Sequence, residues 1–167
     1  MSIMKKKRIV QDNLKNLNAA ELMDFVSDKY HTSEKQNLSS LNQCFQLMPA
    51  ADIRNHPELS MIRAHFIEIR KLLQKHFIDS ETVYFPAIRK STNGSYDFSF
   101  LKNQAHSTNE DISKLFREIK RLSSNYTPPA DASGWMKLCY ALLHDLELDT
   151  NYHLFVEESI LPLKLGA

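Results

Sequence analysis

Hydrophobic positions along this chain recur at the three- and four-residue spacing of amphipathic helices over four long segments, and no alternating strand pattern competes with them. The first segment is predicted to start at Ala19 with Asn18 as its N-cap and to run to about Met48, ahead of Pro49. At about 100° per residue, His31, Leu38, Leu41 and Phe45 fall in one sector roughly 80° wide, so His31 faces the core. The second segment follows Pro57 and reaches about Lys90, with Pro86 expected to kink or thin its last turns and residues 91–95 forming a turn. Its inward stripe reads Ile62, Phe66, Ile69, Leu72, Leu73, His76, Ser80, Val83 and Ala87, and Glu81 is rotated about 100° away from it.

The third segment covers roughly residues 98–124, with Leu101, Ile112, Leu115, Phe116, Ile119 and Leu122 as its apolar stripe. His106 lies about 140° from the middle of that stripe. After a Pro-Pro loop, the fourth segment begins at the capping residue Ser133 and ends near Leu161, before Pro162. Trp135, Cys139, Leu142, Leu146, Asp149, His153, Glu157 and Ile160 project within about 40° of one line on it. Only three glycines interrupt the chain, and its six prolines punctuate the segments instead of breaking their middles. Each helix has one face to bury, so the predicted fold is all-α: an antiparallel up-down-up-down four-helix bundle over residues 18–167, preceded by a polar basic arm over residues 1–17.

Composition changes this picture little. A chain of 167 residues, 43% hydrophobic and 25% charged, suits one globular domain. The net charge of +1 offers no global attraction to nucleic acid or to a membrane surface, and the one basic run, Lys5 to Arg8, sits in the arm. No apolar stretch approaches the ~18 residues of a membrane span, and the start lacks the apolar core of a signal peptide, so a cytoplasmic protein is expected. The two cysteines, Cys44 and Cys139, stand far apart in no paired motif and read as buried small hydrophobes.

The chemistry lies in polar groups that share the apolar faces. His153 and Glu157 are four residues apart, one above the other on a helix, and can reach one metal ion. An upstream segment echoes them, but the residue four after His76 is Ser80. In an up-down bundle His31, His76, His106 and His153 all come near the same end. A lone inward histidine is most often a hydrogen-bonded core residue. Four at one level beside a carboxylate make instead a ligand set that iron, manganese or zinc accepts. His65 is about three turns from His76, His56 precedes Pro57 in a loop, and His144 is offset from its stripe; these three read as structural.

Several of these residues also carry a family resemblance. Tyr30-His31, the run from His76 to Val83-Tyr84-Phe85-Pro86, the loop Asn125-Tyr126-Thr127-Pro128-Pro129 followed by Trp135 and Tyr140, and the closing run from His153 and Glu157 to Leu161-Pro162 resemble motifs of one family. That family is the hemerythrin-like domains of the repair-of-iron-centres proteins, which are non-haem di-iron four-helix bundles. The resemblance covers most of the chain but not the family's separate cysteine-containing N-terminal domain, because the bundle begins almost at Met1. It implies iron ligands at His31, His76, His106, His153 and Glu157, and it places the family's second bridging carboxylate on Ser80. A serine hydroxyl offers neither bridge nor charge, so two irons, one or none are all open, with Glu81 or Glu110 as substitutes and Glu110 the better placed of the two if the third helix is rolled to point His106 inward.

The resemblance further implies a role in nitrosative or oxidative stress or in iron-sulfur cluster repair. A small diatomic molecule or peroxide would be the ligand, and iron-sulfur proteins would be the clients. The alternative is a metal-poor bundle that has kept the fold and serves as an interaction or sensory module.

Overall fold

The computed structural model describes residues 14, 16–90 and 99–165, and the side chains of all of these except 99–105. Most of the predicted arm and the predicted 91–95 turn therefore lie outside the described residues, as do Phe98 and the Leu101 side chain. The chain is helical, with no strand among the described residues, and four long helices form the all-α bundle.

Helix α1 occupies residues 19–46, as α-helical Ala19–Phe25 and Thr32–Gln46 joined by a wider π-helical stretch, Val26–His31. It starts where the sequence predicts. The Asn18 side chain accepts from the Glu21 backbone at 3.0 Å, and the Glu21 carboxylate accepts from the Asn18 backbone at 2.8 Å, a complete capping box. A short helix that the periodicity did not predict, α2 (Ala50–Asn55), follows. It turns the buried Asp52 toward Ser133, where its carboxylate accepts from the Ser133 backbone N–H at 3.3 Å and from the Ser133 hydroxyl.

Helix α3 spans residues 58–90, as Glu58–Asp79, a π turn Ser80–Tyr84, and Phe85–Lys90. Helix α4 is Ser99–Leu122, and α5 spans residues 134–164 as Gly134–Phe155, a π turn Val156–Ile160, and Leu161–Lys164. In α3 and α5 the π turn ends two residues before a proline, Pro86 and Pro162. Proline has no N–H for the carbonyl four residues back and its ring presses on that carbonyl, so a widened turn lets the helix pass without breaking. Pro86 thus widens its helix where a kink or thinning was expected.

Helix α3 packs chiefly against α4, and α1 against α5. The larger core contains Phe45, Phe66, Phe77, Phe116 and Tyr140 together with the aliphatic stripes. A second, smaller cluster joins Leu22, Val26 and Tyr30 of α1 to Phe85, Val156 and Leu161, and Leu14 from the predicted arm is buried in it. Cys44 and Cys139 are both free and buried. No described helix is long and apolar enough to cross a membrane.

The stripes are displaced where the helices depart from ideal periodicity. Val83, predicted to face inward, is 50% exposed, because it lies within the π turn that follows Ser80. On α5 Trp135 is 39% exposed and Asp149 is also outward, while Met136, Tyr140, Leu143 and Thr150 are buried. That helix is apolar nearly all round, so tertiary contacts choose its face.

Candidate metal centre

Three of the four predicted imidazoles meet at one point. His31 of α1, His76 of α3 and His153 of α5 are buried, and their Nε2 atoms converge with the Glu157 carboxylate. His31 Nε2 lies 3.1 Å from His153 Nε2 and 3.3 Å from Glu157 Oε1. His153 Nε2 is 3.2 Å from His76 Nε2 and 3.1 Å from Glu157 Oε1, and His76 Nε2 is 3.2 Å from Glu157 Oε2. Each π turn contributes here: His31 closes the first, Ser80 opens the second and Glu157 is in the third. A π turn shifts the phase of everything beyond it, which aims side chains that an ideal helix would point elsewhere.

The outer nitrogens of two of these rings are held by carboxylates. His31 Nδ1 donates to Glu81 Oε1 at 2.8 Å, and His153 Nδ1 donates to Glu34 Oε1 at 3.0 Å. The carboxylates only accept, so the hydrogen on each ring sits on Nδ1 and the Nε2 lone pairs face one another across the cluster. Lone pairs about 3 Å apart repel unless a proton or a cation stands among them. The spacing also suits a cation: ligand atoms bound at about 2.1 Å to one ion lie about 3.0–3.4 Å from each other in octahedral or tetrahedral geometry. The residues therefore fit a metal ion. His31, His76, His153 and Glu157 would hold it, with Glu34 and Glu81 orienting two of the rings.

The charges are consistent with that occupancy. Burial disfavours an imidazolium at His153, yet Glu34 and Glu157 outweigh it and push the His153 pKa up to about 10. Burial likewise opposes the Glu157 carboxylate, but His76, His153 and His31 around it hold its pKa well below the usual range. A divalent cation, the carboxylates of Glu34, Glu81 and Glu157, and the ammonium of Lys35, which is 2.8 Å from Glu81, balance to zero. The surrounding wall is aromatic. The Phe77 ring lies 4.7 Å from that of His31, and Tyr30 stacks on His153 at 5.9 Å.

His106 is not brought to this cluster. Its side chain is 64% exposed on α4, 3.5 Å from Glu110 and 3.6 Å from Glu158. The physical reason was visible in its phase: Ile112, Phe116 and Ile119 are buried, and burying that stripe turns His106 outward. Glu110 goes with it, so of the two substitutes for a carboxylate at position 80 only Glu81 approaches the cluster. Ser80 itself is buried and donates to Glu157 Oε2 at 3.4 Å. Glu34 was missed by the periodicity argument. Its signal was a carboxylate three residues after His31, close to the edge of an apolar stripe, where a solvated residue would be out of place. His56, His65 and His144 all lie outside the cluster; His56 pairs with Asp131 at 3.2 Å and His144 stacks on Tyr126.

A helical bundle whose facing helices converge imidazoles and a carboxylate on one buried point defines a metal-binding four-helix bundle. The hemerythrin HHE cation-binding domain model matches residues 28–162, and the chain belongs to that family. Similar proteins include the iron-sulfur cluster repair protein ScdA of Staphylococcus haemolyticus, 24% identical over 151 residues that cover 89% of this chain and 68% of the relative. ScdA of Staphylococcus epidermidis is 24% identical over 92% of this chain and 70% of its own length. The iron-sulfur cluster repair protein YtfE of an Enterobacter strain is 25% identical over 84% of this chain and 63% of its own length.

Proposed function

We propose that this chain is a cytoplasmic, iron-holding hemerythrin-like protein of the stress response, with damaged iron-sulfur proteins as its clients. The observation that carries the reading is the convergence of three Nε2 atoms and one carboxylate, with five contacts of 3.1–3.3 Å among them and all the ligand atoms within 4.8 Å of one another. The family supplies iron as the metal, since the donor set also accepts manganese and zinc. Names of relatives supply iron-sulfur cluster repair as the setting. Two buried free thiols suit a reducing compartment.

Within this reading the site holds one iron. Ser80 adds no second carboxylate, and His106 stands on the surface, so a second ion would lack one of its two carboxylate bridges and an imidazole. Bound iron would supply a redox-active centre with room for a small diatomic ligand or peroxide. The protein's own work is positional: Glu34 and Glu81 fix which nitrogens of His153 and His31 face inward, and Phe77 and Tyr30 exclude water from their rings. Burial keeps the Tyr30 phenol protonated by raising its pKa, so it remains a hydrogen-bond donor beside the site. The least buried carboxylate of the group is Glu81, its side chain 34% exposed, and a small ligand would enter beside it. No observation favours the metal-poor alternative, in which a proton on His153 would have to stand among these groups in place of an ion.

The test is metal analysis of protein purified from iron-supplemented medium, together with reactivation of an enzyme whose iron-sulfur cluster has been damaged. One iron per chain, lost in His153→Ala along with any reactivation, is expected. Absence of every transition metal at stoichiometric level defeats the reading, and two irons per chain defeat the single-ion form of it.

A further inference from the structure

One turn of α1 supports both of the carboxylate-held rings in the buried cluster. Glu34 and Lys35 are consecutive residues just past the π stretch that ends at His31. Glu34 reaches across to α5, where its Oε1 accepts from His153 Nδ1 at 3.0 Å. Lys35 reaches toward α3, where its ammonium donates to Glu81 Oε1 at 2.8 Å. That same oxygen accepts from His31 Nδ1, also at 2.8 Å.

The two carboxylates are held differently. Glu34 is enclosed, its side chain 0% exposed, and the Thr150 hydroxyl donates to its other oxygen at 3.4 Å, so it has nowhere to turn. Glu81 stands at the rim, its side chain 34% exposed, in the π turn Ser80–Tyr84. Water competes for a rim carboxylate on a flexible stem, so its contact with His31 persists only if another group fixes it. Among the described residues Lys35 is that group. Its ammonium is placed from a second side as well, 5.3 Å from the centre of the Phe77 ring, which itself lies against His31 and His153. Lys35 is thus tied to the rim at both Glu81 and Phe77, although its side chain is 48% exposed.

We propose, on the reading of the cluster as a metal centre, that Lys35 is a positioning residue that latches it. By holding Glu81, Lys35 fixes the His31 ring with Nε2 inward and closes the way beside Glu81 by which a bound ion leaves. The sign of the effect sets a latch apart from plain electrostatics. As a bare charge, Lys35 would repel a bound cation, and its removal would slow release of the ion. As a latch acting through Glu81, its removal speeds release.

The probe is zinc, which is silent to redox chemistry: zinc-loaded protein is mixed with excess chelator and the rate of release is followed. Lys35→Met keeps an unbranched apolar stem over Phe77 and removes the ammonium. It should release zinc about two- to fivefold faster, the range set by an exposed ion pair, and Lys35→Arg should restore the parent rate. Glu81→Ala should release zinc faster still, by roughly tenfold, and Lys35→Met added to it should change nothing further. Proton NMR of the zinc-loaded form reads the contact directly: the His31 Nδ1 proton should exchange with water faster in Lys35→Met, while the His153 Nδ1 proton, held by Glu34, stays as in the parent. Lys35 is half-exposed, so circular-dichroism melts should be unchanged by its replacement. Release that is unchanged or slower in Lys35→Met, or an equal acceleration in the Glu81→Ala background, overturns the latch alone. Failure of zinc to bind at stoichiometric level defeats the metal centre and the latch with it.

Discussion

Glu34 offers the cleanest test of whether the buried cluster is built for a metal ion. The substitution Glu34→Gln preserves shape in a site 1% exposed, so it opens no cavity. The glutamine oxygen can still accept from His153 Nδ1, at 3.0 Å in the parent, and the Thr150 hydroxyl, 3.4 Å from Glu34 Oε2, can turn to accept from the new amide. What disappears is the charge. A hydrogen bond to a charged partner is worth about 1.5–3 kcal/mol against about 0.5–1.5 kcal/mol for a neutral one. The difference of about 1–1.5 kcal/mol corresponds to a loss of about tenfold in metal affinity. Removing outer-shell partners of metal-bound imidazoles costs roughly 10- to 100-fold, so tenfold is the lower bound expected here. Affinity is to be measured by competition with a chelator of known strength, with Glu68→Gln as control, since Glu68 is exposed, lies outside the cluster and pairs with Lys71. Melting of the metal-free variant separates a weakened site from a weakened fold. Equal affinity in Glu34→Gln and the parent, or equal losses in Glu34→Gln and Glu68→Gln, would refute the outer-shell role.

Other consequences follow from the same geometry. His153 has a folded pKa of about 10 against an ordinary value of 6.5, so its protonation stabilises the metal-free fold fully below about pH 6.5 and ceases to do so as pH rises through 10. Metal-free protein should therefore melt lower at pH 9.5 than at pH 7, whereas the metal-loaded form should lack this loss because the ion replaces the proton; equal melting of metal-free protein at the two pH values counts against the arrangement. Ser80→Glu adds a carboxylate to a buried position beside Glu157, so it should lower the metal-free melting temperature and leave metal stoichiometry at one, and a rise to two by metal analysis would show that α4 can roll His106 inward. Phe77→Ala removes a ring buried against His31 and His153 and should cost about 3–5 kcal/mol in denaturant unfolding. Asn18→Ala breaks the capping box of α1 and should cost about 0.5–2 kcal/mol in the same assay, with metal content unchanged.

Much of this molecule is legible in its sequence. The stripes of α1, α3 and α4 place His31 and His76 inward and His106 off-stripe, because a 3.6-residue period reports which face each helix must bury. Asn18 and Ser133 mark helix starts through hydrogen bonds made within three residues, which local chemistry determines alone. The His153 to Glu157 spacing identified half the cluster for the same local reason. Tertiary structure decided the rest. Periodicity assumes an unbroken α-helix, so it could not say that π turns would end at His31, begin at Ser80 and include Glu157, nor that Val83 would be turned out as a result. Glu34 and Glu81 acquired their roles only when α1, α3 and α5 came together, since a carboxylate's partner across a bundle leaves no spacing in the chain. His106 shows the two levels in conflict: the resemblance sends it to the buried site, and the energy of burying Ile112, Phe116 and Ile119 keeps it at the surface.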